Sequence, residues 1–334
     1  MKLQCLLFCL FVLFSSCNAP FPKTNSDKIP NASNLSTMPF TIPETPSSPY
    51  LAVLGIAQDA GYPQAACQKV CCKRAVKEPE KNRLVSCLAL IDPISQQRWL
   101  FDATPDFREQ LQRLDSLQAA REDEYLSGIF LTHAHIGHYT GLMHLGREAM
   151  GAKQTKTYAM PRMQDFLTNH APWSQLVKLQ NIVFEPLQEE KTVVLNKRLK
   201  VTPYLVPHRD EFSETVGFKI EGASKSALFI PDIDKWHLWD RDILKEIEAV
   251  DYAFLDATFY ANGEIAGRDM SEIPHPFVEE SMKLFADLPA KEKNKVHFIH
   301  FNHTNPVLDE SSEAYQNVLK QGFWVAKEMS VWGL

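Results

Sequence analysis

Three histidines within six residues, at the point where an apolar run gives way to a turn, constrain this chain more than any other feature. The segment reads Ser127-Gly-Ile-Phe-Leu-Thr-His133-Ala-His135-Ile-Gly137-His138. Its apolar start predicts a strand, and a helix is expected to begin near Tyr139. A strand alone would send alternate side chains to opposite faces, whereas a turn gathers them around one point. Neutral imidazole suits zinc, iron and other borderline divalent ions, so His133, His135 and His138 are read as metal ligands. A solvated histidine-rich loop is the competing reading. All 11 histidines lie at or beyond position 133, which makes some clustering expected, but the strand-to-helix placement favours ligation.

Around this segment, short β-branched and aromatic runs alternate with amphipathic stretches. Strands are expected at 51–56, 85–91, 98–101, 128–131, 252–255, 296–301 and 324–329. Two hairpins are expected as well, one joining 191–195 to 199–205 across Asn196-Lys197 and one joining 216–220 to 227–230 through Gly222. Helices are expected at 106–117, 139–150, 162–170, 240–249, 276–286 and 313–321. Hairpins with helices interspersed in both halves suit an α/β (α+β) class in which two mixed sheets pack face to face with helices outside.

The N-terminus calls for a separate reading. Lys2 precedes an apolar run from Leu6 to Phe14, followed by Ser15, Ser16 and Cys17. This is the outline of a signal peptide over 1–16, too short to span a bilayer as a mature helix. Phe14-Ser-Ser-Cys17 resembles a bacterial lipobox, which makes Cys17 the expected acylation site. Residues 17–49 carry seven prolines among Asn, Ser and Thr. Such a segment buries too little apolar surface to order itself, so a tether is expected between a lipid anchor and a domain at 50–334. The expected location is the bacterial envelope, exported and lipid-anchored, with the outer membrane preferred because Asn18 offers no inner-membrane retention signal. With 35 Lys+Arg against 41 Asp+Glu, a formal charge of −6 and no basic block, nothing argues for a nucleic-acid partner. Nothing fixes an oligomeric state.

The stretch from about Leu51 to the C-terminus resembles the metallo-β-lactamase superfamily, and within it the pyrroloquinoline quinone (PQQ) biosynthesis protein B family, with weaker likeness to the superfamily's phosphodiesterases. The likeness rests on Val53-Leu-Gly-Ile-Ala with Gly61-Tyr-Pro-Gln64, on Phe101-Asp-Ala-Thr-Pro-Asp106 and on the histidine segment itself. It continues in Pro207-His-Arg-Asp-Glu-Phe-Ser213, Asp256-Ala-Thr-Phe259 and Phe298-Ile-His-Phe-Asn-His-Thr-Asn-Pro-Val-Leu-Asp-Glu310. The resemblance implies an αββα sandwich with a metal site at one edge. It implies His133, His135 and His208 at a first ion, and His138 and His300 at a second, with Asp232 bridging. Asp102 and Asp256 are implied as supporting residues behind the ligands. His303, where the related family carries Asn, is assigned either as an alternative to His300 or as a substrate-facing acid/base.

The superfamily pattern is His-x-His-x-Asp-His, and its aspartate is Gly137 here. Loss of that donor predicts a weak second site. Cys67, Cys71 and Cys72 lie where related families hold a structural zinc, and three thiolates plus one further ligand would close a tetrahedral site. A disulfide from Cys67 or Cys71 to Cys87 is the alternative. The expected function is a metal-dependent hydrolase of a small-molecule ester, phosphoester or lactone. It would use Zn2+ (or Fe2+ or Mn2+), with Asp232 positioning water and His303 or His275 protonating the leaving group. The alternatives are an iron-dependent oxidoreductase of the PQQ type, or a metal-binding relative without catalysis.

Overall fold

The structure, a computed structural model, describes residues 46–334. The signal peptide, Cys17 and the tether as far as residue 45 lie outside the described residues. Fourteen strands follow in chain order. The first six are β1 (Tyr50–Gly55), β2 (Cys87–Asp92), β3 (Gln97–Phe101), β4 (Gly128–Phe130), β5 (Thr155–Ala159) and β6 (Ile182–Pro186). Then come β7 (Val193–Val194), β8 (Lys200–Leu205), β9 (Val216–Glu221) and β10 (Ser226–Ile230). The last four are β11 (Tyr252–Asp256), β12 (Val296–Ile299), β13 (Trp324–Val325) and β14 (Val331–Gly333).

They form two seven-stranded sheets, ordered β14-β1-β2-β3-β4-β5-β6 and β13-β12-β11-β10-β9-β8-β7. Each sheet is mixed in the same way. In the first, β14 to β3 pair antiparallel and β3 to β6 parallel. In the second, β7 to β10 pair antiparallel and β10 to β13 parallel. β1, β2 and β4 are buried along their whole length, because the other sheet covers one face and helices such as Phe107–Leu117 the other. This is the αββα sandwich expected from the strand pattern and the resemblance.

Aromatic side chains join the layers. Phe101 stacks on Phe130 at 5.0 Å and Phe130 on Tyr158 at 4.1 Å, while Phe218 of β9 meets Phe101 from the opposite sheet at 5.4 Å. These rings fill the central core, where each buried aromatic contributes on the order of 2–3 kcal/mol.

Three expectations need correction. β5 and β6 were not foreseen, because their Thr, Lys and Glu residues blur the strand pattern. The helix expected at 139–150 is one short turn, Ile136–Tyr139, running into the 3-10 segment Thr140–Leu145. The strand expected at 324–329 is only the two residues of β13, paired with β12; after Met329 at φ 64° a separate strand, β14, pairs with β1.

The topology decides where polar residues gather. β1, β3, β4, β8, β10, β11 and β12 all end at the same edge, and a bridge from Ala57 to Phe301 ties the loop after β1 to the end of β12. Ligand sites form where loops leave the carboxyl ends of strands.

Candidate metal centre

At that edge, His133 and His135 leave β4, His208 leaves β8 and Asp232 leaves β10. One donor atom from each lies within 4.8 Å of the others. Asp232 Oδ2 is 3.4 Å from His133 Nε2, 3.3 Å from His208 Nε2 and 3.8 Å from His138 Nε2. His133 Nε2 is 2.8 Å from His135 Nδ1. A second group, His138 and His300 with Asp59, satisfies the same 4.8 Å criterion. The six residues expected to share two ions are therefore brought together around Asp232, with Asp59 as an unforeseen neighbour.

Behind these groups lies a set of orienting contacts. Asp102, fully buried at φ 71°, contacts His138 Nδ1 at 2.7 Å and accepts from the Thr132 backbone N–H at 2.8 Å. Asp102 thus lies behind His138, on the side away from Asp232. Asp256 accepts from Thr258 and lies 2.9 Å from His275 Nδ1, which is also 3.0 Å from Asp232 Oδ1. His275 thus sits between two buried carboxylates beside the cluster. Asp234 contacts His208 Nδ1 at 2.9 Å and Thr258 contacts His300 Nδ1 at 3.0 Å, fixing which ring nitrogen faces inward. Asp59, Asp234, Thr132 and Thr258 were missed because no local spacing marks a lone Asp or Thr in a loop.

Burial shapes the electrostatics. It holds His133 and His300 below the usual imidazole value. His138 feels the same burial, but Asp102 and Asp59 overcome it and raise the group to about 10. Asp232 and Asp234 likewise carry His208 to about 9. Burial opposes ionisation of Asp232, yet the surrounding histidines hold it well below the ordinary carboxylate range.

The donor set fits a divalent metal. Asp59 Oδ1, His138 Nε2, His208 Nε2 and His300 Nε2 are buried and lack a hydrogen-bond partner among the described residues. An unsatisfied buried polar atom costs about 1–3 kcal/mol, and these all converge on one place. Cations bound there would satisfy them together.

His303 lies elsewhere. Its Nδ1 is 3.3 Å from Cys72 Sγ and 3.6 Å from Cys71 Sγ, and Cys67 Sγ is 3.8 Å from Cys71 Sγ. These four residues form a separate potential ligand group. The assignment of His303 as an alternative to His300 is corrected: His300 takes φ 70°, and the turned chain carries residue 303 to the cysteines, where it also borders the cleft lined by His275. Among the described residues Cys67, Cys71, Cys72 and Cys87 are all free, and Cys87 is buried in β2, so the disulfide alternative is not realised. Burial raises the Cys72 thiol to about 12, so metal uptake there would release a proton.

Residues 97–300 match the model of the beta-lactamase superfamily domain. A curated relative, coenzyme PQQ synthesis protein B of Pseudomonas putida, is 26% identical over 303 residues, covering 83% of this chain and 97% of its own. Among solved structures, Zn2+-bound PqqB from Methylobacterium extorquens superposes with a TM-score of 0.73 at 23% identity, over 85% of this chain and 100% of that one. A diphosphatase of the PhnP family superposes at 0.58 with 22% identity, over 85% and 96%.

Proposed function

Because the chain belongs to the beta-lactamase superfamily, we propose that it is a metal-dependent hydrolase acting on an anionic ester, with phosphoesters as the first class to test. The observation that carries this reading is Asp232, a buried carboxylate set between His133, His208 and His138 and surrounded by unpaired donor atoms. His133, His135, His208 and Asp232 would hold one ion, and His138 and His300 a second that shares Asp232. A bound divalent ion brings the pKa of its water towards neutrality and so supplies hydroxide. The imidazole-rich set favours zinc, with iron or manganese as alternatives, and the Zn2+ named for the PqqB structure agrees.

The residues around this centre suit hydrolysis. His275 lines a cleft of about 490 Å³ together with Arg209 and Arg268. Burial disfavours its cation, but Asp256 and Asp232 hold it well above the usual imidazole value, so it carries a proton to give to a leaving oxygen. The two guanidinium groups suit a negatively charged substrate. Cys67, Cys71, Cys72 and His303 would hold a separate structural zinc.

The test compares the full chain with a variant carrying His133→Ala and His135→Ala, by elemental analysis and by hydrolysis of bis(p-nitrophenyl) phosphate. The expected result is about two or more ions in the parent, at least one retained in the variant, and turnover only in the parent. Equal metal in both proteins would defeat the reading. The likeness to coenzyme PQQ synthesis protein B supports a second reading, iron-dependent oxygen chemistry, for which iron in the lost fraction and oxygen uptake would be the marks. Ion binding without turnover of any kind would leave a non-catalytic relative. Export and acylation at Cys17 complete the proposal, and palmitate labelling abolished by Cys17→Ala would test them.

A further inference from the structure

The missing aspartate of the histidine motif leaves a measurable space, and that space is filled. A Cβ built on Gly137 would lie 2.3 Å from Asp59 Oδ1 and 2.5 Å from Asp59 Cα, closer than packed atoms approach. A side chain at 137 and the observed position of Asp59 therefore exclude each other. Asp59 arrives from the loop after β1 and packs directly against the histidine motif at Gly137. Its Oδ1 is buried without a hydrogen-bond partner among the described residues, 3.5 Å from His138 Nε2. It also shares a ligand-sized cluster with His138 and His300.

The backbone holds Asp59 in that position. Its φ is 21°, a region that residues with a side chain seldom occupy, and such strain persists only where neighbours enforce it. Gln58 N–H donates to Phe301 at 2.8 Å, Gly61 N–H donates to Gln58 at 2.9 Å, and Ala57 bridges to Phe301, next to His300. The loop is thus fastened to the segment that carries the other second-site histidine.

We infer that Asp59 is the carboxylate ligand of the second ion, replacing from the β1 loop the donor that the histidine motif has lost at Gly137. The inference rests on the two-ion reading above and reverses the expectation of a weak second site. The donor count and the negative charge of that site are kept, and Gly137 becomes a requirement of the arrangement. A carboxylate on a separate loop also ties the second ion to the cysteine group, because Gln64, five residues on, donates its backbone N–H to Cys72 Sγ at 3.4 Å.

The test uses the full chain with its histidine centre stripped of metal and titrated with Mn2+. Binding is followed by calorimetry, and the spin-coupled signal of a manganese pair by electron paramagnetic resonance. The parent should take two ions at this centre. Asp59→Asn, nearly isosteric, should weaken the second by more than about tenfold, the scale of losses at metal-supporting positions. It should also remove the coupled signal while leaving the first ion in place. Asp59→Gly combined with Gly137→Asp should restore both. Unchanged binding of two ions by Asp59→Asn, or a single ion in the parent, would overturn the inference and leave the hydrolase reading standing. Equal metal in the parent and in the variant with His133→Ala and His135→Ala would defeat that reading instead. Circular dichroism of Asp59→Asn separates loss of a ligand from loss of the fold, so the result does not depend on the swapped variant folding.

Discussion

The two ends of the same strands treat buried charge in opposite ways. At the closed end, Asp92 of β2 is fully buried, and its partners are all present. It accepts from Ser95 Oγ at 2.8 Å, from Asn196 Nδ2 at 2.9 Å and from the Arg198 guanidinium at 2.6 Å, so the turn between β7 and β8 is clasped to the other sheet. At the metal end, His138, His208 and His300 are buried as well, yet the inward-facing Nε2 of each has no partner among the described residues. Burial of polar groups is common to both ends. What separates a structural clasp from a reactive centre is whether the hydrogen-bonding capacity is closed within the chain or left converging on a point.

This contrast predicts that substitutions at the two ends affect different properties. The largest effect is expected from Asp232→Ala, with phosphodiester hydrolysis falling on the order of a thousandfold, about 4 kcal/mol of barrier, and a melting midpoint of the metal-free protein that moves much less. Steady-state kinetics beside calorimetric melting checks both halves. Asp92→Ala should do the reverse: about 3 kcal/mol of stability lost, because Arg198 and Asn196 lose their acceptor, with metal content unchanged in elemental analysis. A drop in bound metal would show that the two ends are not independent.

Asp102→Asn should cost about 10–100-fold in second-ion affinity, since His138 loses the carboxylate that orients it, and manganese titration would measure this. A change of pH tests the same contrast. In the metal-free protein, His138 and His208 have folded pKa values raised to about 10 and about 9. Their contribution to stability is present below the unfolded value of about 6.5 and is lost as pH rises through the folded values. Metal-free melting midpoints should therefore fall between about pH 6.5 and pH 9, while metal affinity rises as the same protons become easier to displace. Asp92 has the opposite sign. Burial opposes its charge, but Arg198 and Ser95 hold it below the ordinary carboxylate value, so its contribution is present above about pH 4 and lost on further acidification. Urea melts across pH would separate the two ends.

The histidine segment was readable because its evidence is local: a strand, a turn and three imidazoles close in sequence. His208, Asp232 and His300 followed only through the resemblance, since each alone is an ordinary strand-end residue. His303 was offered as an alternative ligand to His300 because it lies three residues away, and the turn at φ 70° that parts them cannot be read from composition. Cys87, grouped with the other cysteines by count, is separated from them by burial in β2.

The positions of most strands, the expectation of two mixed sheets and the histidine cluster were thus set by the sequence itself, because apolar alternation and close spacing act over a few residues. Tertiary structure alone decided that Asp59 occupies the space beside Gly137, that His303 faces the cysteines, and that Asp234 and Thr258 orient their histidines. Those contacts join loops far apart in the chain, and only packing of one sheet against the other fixes which polar atoms meet and which are left for a metal.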